Sequence, residues 1–426
     1  MRALFDQLKE LAEFKKACEV LKEEEARTWE EHQVLVLIPA FSLQEEEKAL
    51  EYQKMLEEEG FTTVRDEVNN IYTVFQGSDP KAPTVYMSAH IDTVFPMDTP
   101  LKITEKDGRF CCPGIGDDTA SLAQVFGIMR AIRKADIRFK GTLIIGGNVG
   151  EEGLGDLYGM KHFFYKDHPS DIDGFITVDG CGNHIIYGGT GSHRYEVTFR
   201  GPGGHSNGDF GMPNPIHAMG RAIARLSDMR VPSEPKTTFS VGIVHGGTSV
   251  NAIAGSCSML VDLRSNGTKE LDALDQHFHQ LTIEAVTEEN QRWEKDRALY
   301  SDRYSHTDVP LYEKKVELSF QKIGERPVGD QPFDSLIVQA ARNAYEALGI
   351  TPEFIEKGSL DANIPISMGI PGLGLESGGE TGGAHSLNEW YIPSDIATGQ
   401  SKLILLLMGL LGVEGFSDPL LPKRNP

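Results

Sequence analysis

Histidines and carboxylates recur in this chain beside glycines and at the ends of apolar runs. His90 and Asp92 lie in MSAHIDT, Asp117 and Asp118 in PGIGDDTAS, and Glu151 and Glu152 in GNVGEEG. Asp179 lies in TVDG and His385 in GGETGGAHSLNEW. Each has an ordinary explanation when taken alone: a packed histidine, a helix cap, a turn residue or a solvated pair of charges. Taken together they point to metal chemistry. Mixed imidazole and carboxylate donors suit zinc and its first-row neighbours. Two histidines and several carboxylates exceed what one catalytic zinc needs, so the set fits two ions sharing a bridging carboxylate. Residues i and i+2 of a strand share a face, which places Asp92 beside the imidazole of His90. A carboxylate there fixes the tautomer of a ligating histidine.

The surrounding elements must hold these side chains in one place. TVYMSAHI, TLIIGGNV and GFITVDG read as buried strands, and SLAQVFGIMRAIRKA as a helix between the first two. That alternation predicts an α/β fold with a mainly parallel sheet flanked by helices. In such a sheet the carboxyl ends of the strands form the ligand crevice. His90, Glu151, Glu152 and Asp179 fall at those ends. From about residue 188 the texture changes to alternating strands (HRYEVTFRG, TTFSVGIVHGG, GSCSMLVDLRS, KKVELSFQKIG) around two helices. The β-α-β-β-α-β order is that of a small α+β domain. The expected organisation is therefore a first domain of residues 1–187 and 327–426, with residues 188–326 inserted into it. The polar stretch NQRWEKDRALYSDRYSHTDVP receives no assignment.

Composition bounds the partners. The chain has 426 residues, 39% of them hydrophobic, and a formal charge of -22. So acidic a protein has no basic face for nucleic acid and is repelled by anionic membranes. LILLLMGLLGV is too short to span a bilayer and reads as a buried helix. The five cysteines form no C-x-x-C pair and the N-terminus lacks an apolar signal core, which together point to the cytoplasm.

These segments resemble the glutamate carboxypeptidase, peptidase T and aminoacylase family of dinuclear zinc amidohydrolases. The family pattern is H-x-D, D-D, E-E, D-G and a late A-H-S, and all five occur here in that order. The resemblance implies that His90, Asp117, Glu152, Asp179 and His385 bind two divalent ions, zinc or else cobalt or manganese, with Asp117 bridging. It implies Glu151 as general base, a catalytic role for Asp92, and a cis Asp117–Asp118 peptide. In the insert, GPGGHSN is similar to the family's lid motif. This implies that His205 polarises the scissile carbonyl, reaching the other subunit's site in dimeric relatives. Asn251 and Arg264 match lid residues that hold substrate. Thr119 departs from the family's more frequent lysine or small residue after the aspartate pair. The implied protein is a homodimeric hydrolase acting on a small peptide or an acyl amino acid. GGTSVNAIAG, DLRS and GEEGLGD are closer to di- and tripeptidases than to deacylases.

Two rivals compete. GHSNG matches the G-x-S-x-G elbow of serine hydrolases, and Ser206, Asp361 and His385 follow that triad's order. The elbow needs a strand, one tight turn and a helix at once, whereas DFGMP delays the helix here. A non-catalytic binding protein is the second rival. The presence of both glutamates and every ligand type argues against it.

Overall fold

The computed structural model describes residues 1–168, 171–296 and 314–424. The chain divides into two compact units, Met1–Gly189 with Gly329–Pro426, and Thr190–Val328. Both junctions lie two residues further along than the sequence texture places them. Gly189 and Gly329 exchange backbone hydrogen bonds of 2.9 and 3.0 Å, and this bridge keeps both within the first unit.

The first unit is built on an eight-stranded sheet. From edge to edge its strands are Thr63–Arg65, Ile71–Phe75, Thr142–Asn148, Thr84–His90, Gly174–Cys181, Gly372–Ser377, His184–Ile186 and Glu353–Ile355. The central pairings are parallel, and antiparallel pairings occur towards both sides. The three expected strands and the helix between the first two are present. The helix, Thr119–Lys134, is buried over nearly its whole length. Ile396–Leu411 is likewise buried except at Thr398, and its leucines join the same core. Each such leucine contributes roughly 1.5–3 kcal/mol through burial. Among the described residues, no helix is long and apolar enough to cross a membrane. All five cysteines are free.

Parallel register aligns the strand ends. His90 pairs with Asn148, so the chain leaves both strands at the same level. Ile91 N–H then donates to the Asn148 carbonyl at 2.7 Å. Asp179 lies near the end of the adjacent strand, Gly174–Cys181.

A second sheet was not legible in the sequence. Glu380–Gly382, Trp390–Ile392, Arg109–Cys111 and Thr104–Lys106 form four short antiparallel strands. Three-residue strands carry too little alternation to be seen. This sheet brings the segment before Asp117 alongside the segments flanking His385.

The second unit has the expected β-α-β-β-α-β order. Its strands lie as Thr237–Gly246, Ser256–Ser265, Gly191–Arg200 and Glu317–Arg326, all antiparallel. The helices Pro215–Ser227 and Thr268–Asp296 pack on this sheet through Ala218, Ala222, Leu274 and Phe278. Asn214 caps the first helix by accepting from Ile216 N–H at 3.0 Å, with Pro215 at its first position. The unassigned polar stretch begins inside the long helix, where Trp293 is buried. Its residues 297–310 lie outside the described residues.

Candidate metal centre

The sheet brings the expected ligands of the first unit together. His90 Nε2 is 3.0 Å from Asp117 Oδ1. His385 Nε2 is 3.1 Å from Asp117 Oδ2 and 2.8 Å from Glu152 Oε1. Ligand atoms of His90, Asp117 and Glu152 all lie within 4.8 Å of one another, and so do those of His90, Asp118 and Asp179. Ligands held about 2.1 Å from a tetrahedral ion stand roughly 3.4 Å apart, close to these spacings. Imidazole and carboxylate donors at this separation fit divalent first-row ions.

Burial and close pairing shift the protonation of these groups. Burial pushes the Asp118 and Asp179 carboxyls well above their ordinary range, and the neighbouring carboxylates push Asp179 further. Burial also opposes ionisation of Asp117, but hydrogen bonds from His385 and His90 outweigh it and hold that carboxyl low. Asp117 and Glu152 together lift His385 to about 10. Burial disfavours a charged His90, yet hydrogen bonds to Asp117 and Asp92 raise it well above the usual imidazole range. Asp117, His90 and His385 thus share protons through the same atoms that would bind a metal.

Asp92 stands beside His90 as the strand face predicts. Its carboxylate is 3.5 Å from His90 Nδ1, and its own backbone carbonyl is 3.0 Å from that nitrogen. The carboxylate oxygens also accept Glu151 N–H and Glu152 N–H, each at 2.9 Å, and the Ser42 hydroxyl at 2.6 Å. Asp92 thus fixes the turn that presents both glutamates. Gly150 begins that turn at φ 64°, a region open to glycine at little cost. Glu151 is buried, as is Glu152. His385 is also left-handed, with φ 63°. For a non-glycine residue that conformation costs roughly 1–2 kcal/mol.

Asp118, paired with Asp117 in the sequence, lies behind this layer, and sequence reasoning missed the other residues there, Glu389, Lys48 and His32. Asp118 accepts Gly180 N–H at 3.1 Å and His90 N–H at 3.3 Å, tying two strand ends together. The Asp117–Asp118 peptide is cis. Glu389 is fully buried; one oxygen accepts Gly116 N–H and Asp117 N–H, the other Gly114 N–H, at 2.7–2.8 Å. Burial pushes its carboxyl up to about 7 against those three donors. Lys48 is buried and donates to the Thr119 hydroxyl at 2.7 Å. Burial lowers its ammonium to about 8 although Asp92, Asp118 and Glu389 oppose the shift. His32 Nε2 is 2.6 Å from the Ile115 carbonyl. Glu389 follows His385 in an already notable segment, so one signal existed. Lys48 and His32 sit in helices with nothing in their spacing to mark them.

Glu389→Gln is therefore expected to weaken the site without touching a ligand. One carboxylate oxygen becomes an NH2 donor, which leaves a buried N–H unpaired at a cost of about 1–3 kcal/mol. Loss of support behind a ligand typically costs roughly 10–100-fold in metal affinity. Denaturant midpoint and metal titration read the two effects, and no change in either would mean that Glu389 does not hold the loop.

In the second unit, His205 Nδ1 accepts Asn207 N–H and Gly208 N–H, each at 3.2 Å. An accepting Nδ1 puts the proton of the neutral ring on Nε2. His205 pairs with Ala252, next to Asn251. Arg264 Nε donates to Asp262 Oδ2 at 2.6 Å on its own strand. Ser206 follows a two-residue strand, Gly204–His205, and the next helix starts only at Pro215. There is thus no strand-turn-helix elbow, and His385 is engaged by Asp117 and Glu152. The serine-hydrolase reading is set aside on both grounds.

A model of peptidase family M20/M25/M40 matches residues 86–408. The chain belongs to that family. A succinyl-diaminopimelate desuccinylase of Nitrosospira multiformis is 23% identical over 262 residues, 58% of this chain and 69% of its own. An acetylornithine deacetylase of Vibrio campbellii is 29% identical over 206 residues, 44% of this chain; the match spans about half, 53%, of that enzyme. Among solved structures, a tripeptidase of Staphylococcus aureus superposes with a TM-score of 0.69 at 21% identity, covering 90% of this chain and 97% of that one. This last likeness is one of fold. As an M20/M25/M40 protein the chain is a metallohydrolase, and its two histidine–carboxylate groups are candidate metal positions.

Proposed function

We propose that this chain hydrolyses an amide bond in small peptides at a two-ion centre held by His90, Asp117, Glu152, Asp179 and His385. The observation that carries the reading is Asp117, whose two oxygens each face a different histidine, at 3.0 and 3.1 Å. A pair of divalent ions held there, zinc or else cobalt or manganese, would supply Lewis-acid chemistry, activating water and polarising a carbonyl. Glu151, fixed by Asp92 through its backbone, takes the proton as water attacks and returns it to the leaving amine. Glu152 holds its carboxylate against His385. His205, with its proton on Nε2, donates to the developing oxyanion. Asn251 holds the substrate beside it, and Arg264 binds a substrate carboxylate in competition with Asp262.

The insert serves as a lid and dimerisation domain in this reading. Thr237–Gly246 is an edge strand with Ile243 and Val244 exposed, which suits pairing with a second copy. The free cysteines suit a cytoplasmic setting.

The tripeptidase fold neighbour supports a peptide substrate. The desuccinylase and deacetylase relatives favour a second reading, removal of an acyl group from an amino acid. A release assay with zinc, cobalt or manganese against dipeptides, tripeptides and N-acyl amino acids separates them. Turnover of peptides well above that of acyl amino acids is expected, and the reverse order would replace the first reading by the second.

A further inference from the structure

A second histidine–carboxylate group lies in the first unit, apart from the residues above. His162 ends the helix Tyr158–His162, and the chain continues as one π-helical turn, Phe163–Asp167. In an α-helix, residues five apart point roughly 140° away from each other. The wider turn, closed by His168 N–H to the Phe163 carbonyl at 2.8 Å, brings His162 and Asp167 to one side. Asp167 Oδ2 is 3.2 Å from His162 Nδ1 and Asp66 Oδ2 is 3.9 Å from it. The three donor atoms all lie within 4.8 Å of one another. The His162 side chain is 4% exposed, and its Nδ1, aimed between two carboxylates, makes no hydrogen bond.

An ion-paired imidazolium is the simplest account, and it falls short on two counts. It leaves a buried Nδ1–H outside hydrogen-bond geometry, at a cost of about 1–3 kcal/mol. It also offsets a single charge, although Asp66, Asp167 and Glu67 all face this ring. Among the described residues, no lysine or arginine pairs with any of the three. We propose that Asp66, His162 and Asp167 form a further divalent-cation site, distinct from the catalytic pair. One imidazole and two carboxylates, completed by water, suit zinc or a first-row neighbour. Glu67 Oε2, 3.6 Å from Nε2, stands behind the imidazole as a carboxylate commonly does behind a ligating histidine.

The site is placed to brace the glutamate turn. Asp66 Oδ1 accepts Val68 N–H and Asn70 N–H, and its Oδ2 accepts Asn70 Nδ2–H at 2.6 Å. Asn70 in turn accepts Val149 N–H at 3.0 Å and donates to the Gly159 carbonyl at 3.0 Å. Val149 lies two residues before Glu151. An ion on Asp66 therefore anchors the base of the turn that carries the proposed base and ligand.

The test counts ions in the full-length protein after equilibration with Zn2+ alone and removal of excess. Asp167→Asn and His162→Gln are each expected to bind one ion fewer per chain than the unaltered protein. Because the readout is a difference, it holds whatever the stoichiometry of the catalytic centre. Asp167 is partly exposed, so its variant decides the matter even where His162→Gln fails to fold. An ion count for Asp167→Asn equal to that of the unaltered protein would overturn the proposal and leave the imidazolium account.

Discussion

Glu151→Gln is expected to keep its metal and lose roughly two to four orders of magnitude in kcat, the usual worth of a general base. Glutamine preserves the shape of the side chain and removes only the proton acceptor. The turn should survive, because Asp92 holds it through the backbone N–H groups of residues 151 and 152. Glu152→Gln should behave differently. The Glu152 carboxylate is 2.8 Å from His385 Nε2, so the substitution weakens a metal bond. Metal affinity should fall, and excess metal should restore part of the rate. Metal content measured beside kcat for both variants distinguishes the roles. Metal loss in Glu151→Gln with retention in Glu152→Gln would reverse them, and normal turnover in both would remove the pair from the chemistry.

Asp117→Asn should be as severe through a different route. The two Asp117 oxygens face His90 and His385 separately. An amide offers one oxygen and one NH2, and the NH2 cannot ligate a cation. The variant is expected to hold at least one ion fewer than the unaltered protein. A loss of about 4 kcal/mol in transition-state stabilisation corresponds to roughly a thousandfold in rate. Elemental analysis and kcat on the same preparation check both effects. Full metal content with full activity would remove Asp117 from the bridging position.

The candidate site residues were legible because their chemistry is marked in the sequence. H-x-D, E-E and D-G stand where apolar runs end, D-D stands in a glycine-rich turn before a helix, and parallel strands put such ends at one edge. The supporting residues were not legible. Glu389 reaches Asp117 N–H across 272 positions, and Lys48 reaches Thr119 across 71. Their helical or loop surroundings look like any solvated charge, and only burial gives them a task. The small sheet joining Arg109–Cys111 to Trp390–Ile392 was hidden for a related reason, since its strands are too short to carry a period.

The sequence by itself determined the class of fold, the inserted unit and the histidines and carboxylates proposed as metal ligands. Those follow from hydrophobic period and residue type, which are local. Tertiary structure decided how each group is used. It gave the Asp92 carboxylate, which stays beside His90, a second task at the glutamate turn, because two backbone N–H groups and a serine hydroxyl also reach its oxygens. It also set Asp66 and Asp167 around the buried Nδ1 of His162. Asp66 lies far from the other two in sequence, and a π-helical turn, which no spacing rule anticipates, brings Asp167 round to the histidine.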